Sequence, residues 1–173
     1  MAVIKITDDC MPFTKTISLK YSGPDPYSLS NKLWEDIKTF FQVSTSGVAF
    51  QQLNWDDSGD PIEFFMRWWM KKKFGHYSRM QLKMKAVGAK RKADNSGSFS
   101  LTMRSWMDTE YRTSFPGPIA RILWAVYSYI FYNKQRQRML KQCQDLTMSY
   151  REFLQKKFDM RPLPYEKTYD SGM

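Results

Sequence analysis

The sequence predicts an α+β fold: an antiparallel β-meander of about five strands, in the order β-α-β-β-β-β-α, with a long C-terminal helix packed on one sheet face. Three observations carry this. Four successive stretches between Val48 and Asp108 are joined by short polar turns, and the last three alternate an inward apolar set with an outward set richer in polar side chains. An earlier stretch with the same period is followed by a segment of helical period. From Ile119 to about Phe158 there is no Gly or Pro, and the apolar spacing becomes helical again. Helices confined to one face of an antiparallel sheet are the α+β solution to burying both.

The elements follow in order. Phe13, Ile17, Leu19 and Tyr21 share one parity, and Thr14, Thr16, Ser18 and Lys20 the other, which marks a half-buried strand. Gly23, Pro24 and Pro26 end it. Ser28 or Ser30 is placed to cap a helix whose apolar face is Leu29, Leu33, Trp34, Ile37, Phe40 and Phe41. A second strand runs from Val48 to Trp55 and closes at the turn-rich Asp56 to Pro61. In the third, Ile62, Phe64, Met66, Trp68 and Met70 alternate with Glu63, Phe65, Arg67, Trp69 and Lys71. In the fourth, Met80, Leu82, Met84 and Ala86 alternate with Arg79, Gln81, Lys83 and Lys85. The fifth sets Phe99, Leu101, Met103, Ser105 and Met107 against Ser100, Thr102, Arg104, Trp106 and Asp108. Pro118 suits a first helical position, and residues 119–158 form one long helix or two with a bend near Asn133. Met66, Trp68, Leu82, Met84, Leu101 and Met103 are expected beneath the helix that begins near Pro118.

With 173 residues the chain is near the ~150 of one domain. Residues 1–159 are assigned to a single α+β domain and 160–173 to an extended or disordered tail. Aromatics at 16% exclude a fully disordered chain, and 8 Gly with 8 Pro exclude linker-like compositions. In element order the chain loosely resembles the helix-grip arrangement of START-like and Bet v 1-like proteins, where a long terminal helix crosses a curved sheet. That resemblance implies an alternative function, a carrier or sensor of an apolar ligand. Met66, Met70, Met80, Met84, Met103 and Met107 share the inward parity and suit either a plastic core or the border of such a cavity.

Charge is the most distinctive feature. Lys+Arg number 27 against 17 Asp+Glu, giving +10. Between Lys71 and Lys92 there are nine basic residues and no carboxylate. Arg79, Lys83, Lys85, Lys90, Arg91 and Lys92, flanked by Trp69 and Trp106, are therefore the candidate polyanion-binding residues. Cations attract phosphates by counterion release, and strand-face aromatics stack bases. The competing readings are a basic edge strand kept soluble by its charges and an acidic protein partner. A second basic group lies on the last helix: Lys134, Arg136, Arg138, Lys141, Arg151, Lys156 and Lys157.

The stretch 118–132 carries large apolar residues on several sides. Trp124, Tyr127 and Phe131 are its candidate interface to a second subunit or another protein; a lipid interface is a further possibility. Catalytic signals are thin. His76 is the single histidine, no phosphate-cradle, nucleophile-elbow or dinucleotide pattern occurs, and no metal or cofactor site is indicated. The expected protein is a non-enzymatic binder of nucleic acid or another polyanion. Cys10 and Cys143 are expected as two reduced thiols. Without a signal-peptide layout or an apolar run of about 20 residues, a cytoplasmic location is expected.

Overall fold

The computed structural model describes residues 2–11, 14–113, 118–127, 129 and 132–163. Its strands are β1 (Ala2–Asp9), β2 (Thr16–Pro24), β3 (Val48–Asp56), β4 (Ile62–Lys73), β5 (Ser78–Lys90), β6 (Ser96–Thr113) and β7 (Arg161–Pro162). Its helices are α1 (Pro26–Phe41), α2 (Pro118–Tyr127) and α3 (Asn133–Phe158). The strands make one 7-stranded sheet in the order β3-β4-β5-β6-β2-β7, with β1 also on β6. All its pairings are antiparallel, and β3 to β6 form the expected meander.

The long β6 is what accommodates the N-terminus. Its first half pairs with β2, from Pro24↔Ser96 to Thr16↔Arg104. Its second half pairs with β1, from Asp9↔Trp106 to Ala2↔Thr113. β1 and β2 thus lie end to end along one edge of β6. β1 adds to the expected strands; its local pattern is weak, and β6 supplies the pairing. β7 is similarly short, two residues held against Leu19 and Lys20.

Helix α1 starts with Pro26 at its first turn, and the cap is Asp25 rather than Ser28 or Ser30. The Asp25 carboxylate accepts from the Ser28 backbone N–H at 3.3 Å. Ser30 is buried one turn in, its hydroxyl donating to the Tyr27 carbonyl. At the other end the Lys72 ammonium donates to the Phe41 carbonyl at 2.6 Å, a cation placed where helix carbonyls lack partners. Leu33, Ile37 and Phe41 face the sheet.

The inward set is buried as its parity predicts: Phe64, Met66, Trp68 and Met70; Met80, Leu82, Met84 and Ala86; Phe99, Leu101, Met103 and Met107. The cover differs from the expected one. α1 and α3 pack on the sheet, α3 through Met139, Cys143, Thr147, Tyr150 and Leu154. The segment beginning at Pro118 is a separate helix, and every described side chain of α2 is exposed.

Cys10 and Cys143 are bonded to each other, with Cα atoms 5.7 Å apart, which corrects the expectation of reduced thiols. The Cys10 N–H extends the β1 ladder to the Ser105 carbonyl at 3.1 Å. That fixes Cys10 under the inner stripe of α3, where Cys143 points. Among the described residues no helix is long and apolar enough to cross a membrane.

Candidate polyanion-binding face

Both packed helices lie on one side of the sheet, so the other side is lined by the alternate positions of β4, β5 and β6. The register arranges them in rows across the strands. Arg67, Lys85 and Thr102 form one row; Trp69, Lys83 and Arg104 the next; Lys71, Gln81 and Trp106 the third. Phe65 with Val87 and Ser100 borders them on one side, and Lys73 with Arg79 and Asp108 on the other. A shallow depression is lined by Arg67, Lys83, Lys85, Thr102 and Arg104.

Cations and rings interleave on this face. The Lys71 ammonium lies 4.3 Å from the Trp69 ring centroid, and that of Lys83 lies 5.6 Å from Trp106. Arg67 and Lys85 both approach Phe65, at 5.4 and 5.8 Å. A ring quadrupole tolerates a neighbouring cation without neutralising it, and the net charge stays available to an incoming anion.

Carboxylates lie at both ends of this face: Glu63 shares its parity beyond Phe65, and the others gather where β1 meets β6. Arg79 pairs with Glu110 at 2.7 Å, and Arg104 with Asp9 at 3.4 Å. Asp108 is buried, accepts from Thr7 at 2.7 Å and from Gln81, and lies 3.5 Å from the Lys5 ammonium. Asp108, buried, and Glu110 are thus held in hydrogen bonds and ion pairs, not on the wet strand face that their alternation with Arg104 and Arg112 suggests. Among the described residues no carboxylate pairs with Arg67, Lys71, Lys83 or Lys85.

The eight candidate residues fall in three places. Lys83, Lys85, Trp69 and Trp106 meet on the outer face, and Arg79 stands at the end where β1 meets β6. Lys90 has the opposite parity and reaches back toward Asp25, the α1 cap, at 3.6 Å. Lys92 is bound into the β3–β4 turn, 2.7 Å from the Asp57 carboxylate and 3.0 Å from its carbonyl. Arg91 is exposed in the β5–β6 turn. A run of basic residues along the chain is therefore divided between two faces and a turn by strand parity. Arg67, Lys71 and Phe65 complete the cluster, and the odd parity of β4 was the signal that could have added them.

The acidic loop works as turn chemistry. Asp56 accepts from the Ser58 hydroxyl and N–H at 2.6 and 3.0 Å, and these bonds lower its carboxyl below its ordinary value. Of the candidate interface on 118–132, Tyr127 is 46% exposed, while Phe131 and the side chain of Trp124 lie outside the described residues. No family model matches the chain, and no curated protein or solved structure matches it either.

Proposed function

We propose that the protein is a non-enzymatic binder of a polyanion, nucleic acid in the first place, and that the outer sheet face is its binding surface. One observation carries the reading: Arg67, Lys71, Lys83 and Lys85, without carboxylate partners, interleave with Phe65, Trp69 and Trp106 on neighbouring strands. Cations of this kind neutralise phosphates, and half-exposed rings accept bases by stacking. An open sheet face presents rings to unpaired bases, so a single strand suits it better than a duplex.

The edge-protection reading of the same charges is weakened by their position. β4 and β5 are interior strands, and the edge beside them, β3, carries no Lys or Arg. Charges that guard against edge-to-edge pairing belong on the edge. The apolar-carrier alternative also has less behind it. The inward methionines and Trp68 pack directly with Leu33, Ile37, Phe41, Tyr150 and Leu154 in one cluster.

Mobility shifts with single- and double-stranded RNA and DNA, at low and moderate salt, test the proposal. Single strands are expected to bind at low salt and to release as salt rises. Replacing Lys83 and Lys85 with Glu should weaken every sequence alike, because phosphate contacts carry no base information. Absence of binding at low salt would overturn it.

A further inference from the structure

Helix α2 poses a physical problem that the sheet does not solve. It has ten residues, and Ile119, Ile122, Leu123 and Val126 make one stripe at spacings of three and four, exposed by 72, 62, 65 and 51%. Tyr127 and Tyr129 follow at its end, 46 and 81% exposed. Helices this short are marginal in water, and packing of the apolar face is what normally holds them. A cover for this stripe is therefore required.

The neighbouring charges indicate which cover. Lys134, Arg138 and Lys141 repeat at four and three on α3, all exposed, and none has an ion-pair partner among the described residues. A second copy meeting this face around a two-fold axis would bring the same three cations and another +10 toward them. A nucleic acid answers the cations and leaves the apolar stripe wet. An anionic bilayer answers both. Ten residues span about 15 Å, half of the ~30 Å hydrocarbon layer, so the helix is suited to lie in the surface and not to cross it.

We propose that α2 is an in-plane anchor for anionic membrane surfaces. Ile119, Ile122, Leu123 and Val126 enter the acyl boundary, Tyr127 and Tyr129 sit among the headgroups, and Lys134, Arg138 and Lys141 contact lipid phosphates and carboxylates. These residues are distinct from the outer sheet face, so the anchor stands or falls separately from nucleic-acid binding.

Flotation of the full chain tests it, using phosphatidylcholine vesicles with and without about one-third phosphatidylserine. The native protein is expected to float with the phosphatidylserine vesicles, and preference for them should fall as salt screens the cations. Leu123→Glu with Val126→Glu should lower the bound fraction at least tenfold. Lys134→Glu with Arg138→Glu should abolish the preference for anionic vesicles. All four positions are exposed, so unchanged circular dichroism and thermal midpoint are the expected folding controls. Lys83→Glu with Lys85→Glu should leave flotation within twofold, which separates the anchor from the sheet face. Three results overturn the proposal: no flotation, flotation undiminished by the Leu123/Val126 pair, or flotation lost with the Lys83/Lys85 pair. A dimer by light scattering that the Leu123/Val126 pair splits, with no vesicle binding, assigns the stripe to a second copy instead.

Discussion

Salt dependence turns the outer face into a count. On single strands the logarithm of affinity falls against the logarithm of salt by about 0.7 per phosphate neutralised. Arg67, Lys71, Lys83 and Lys85 are the cations without carboxylate partners, whereas Arg79 and Arg104 are already paired with Glu110 and Asp9. A full complement gives a slope of about −2.8, so raising salt from about 50 to about 200 mM weakens binding about 50-fold. Lys83→Ala with Lys85→Ala halves the slope to about −1.4, and the same salt step then costs about 7-fold. The contiguous run of nine basic residues from Lys71 to Lys92, taken as one surface, gives about −6 instead. Trp106→Ala should leave the slope alone and lower affinity by about 1–3 kcal/mol per stacked base. Fluorescence anisotropy with a labelled oligonucleotide, titrated at four or five salt concentrations, reads all three. A slope near −6, or one indifferent to the double variant, refutes the assignment of the binding cations.

Four further outcomes follow from the packing. Reducing the Cys10–Cys143 bond, whose ends are 133 residues apart, should cost up to about 5 kcal/mol by loop-closure entropy; urea melts with and without reductant measure it. Tyr150 is buried, its hydroxyl has no hydrogen-bond partner, and burial pushes its phenol above the ordinary 10.0. Above about pH 10 only the unfolded chain sheds that proton, so stability should fall as pH rises there; Tyr150→Phe should flatten that fall and cost under about 1 kcal/mol at neutral pH. A Cβ at Gly88 would press on Phe99 and sit 2.7 Å from the Phe64 ring, so Gly88→Ala should destabilise by about 1–3 kcal/mol in denaturant melts. Asp108→Asn should loosen β1 at Lys5 and Thr7, costing about 1.5–3 kcal/mol, yet tighten oligonucleotide binding by removing a negative charge; weaker binding by the folded variant would count against the outer face.

Parity was the most legible property of the chain. The alternation in β4, β5 and β6 predicts every inward residue from Phe64 to Met107 that is buried, because a period of two leaves no freedom once one face is fixed. It also places Lys83 and Lys85 outward beside Trp69 and Trp106. A reading that follows the charges along the chain misses Arg67, which lies outside the Lys71–Lys92 run, and does not single out Lys71 within it. The odd parity of β4 set against that of β5 places both on the outer face. Parity within one strand says nothing of which elements adjoin, and this hides the disulfide. Cys10 and Cys143 are brought together by the β1–β6 register and the path of α3, both tertiary facts. Composition does not decide the place of helix α2. Its apolar circumference suits a helix over the sheet and an interface alike; α1 and α3 fill the inner face, and the stripe is exposed.

The distribution of charge across the sheet separates the end proposed as a binding surface from the end that acts as a joint. Asp8, Asp9, Asp108 and Glu110 sit where β1 meets β6, and each has a basic partner nearby: Arg136, Arg104, Lys5 and Arg79. Lys5–Asp108 and Arg104–Asp9 tie β1 to β6, Arg79–Glu110 ties β5 to β6, and Arg136–Asp8 ties β1 to α3, beside the Cys10–Cys143 bond. Across the three adjoining rows the sheet carries Arg67, Lys71, Lys83 and Lys85 with rings between them and, among the described residues, no carboxylate paired with them. Exposed like charges at this spacing repel, and folding alone gains nothing from collecting them on interior strands. The cost is modest in water and becomes an advantage when a chain of phosphates replaces the solvent, since each cation then meets an opposite charge at a fixed position. The paired end can hold the sheet rigid while the unpaired end is left open to the proposed anion.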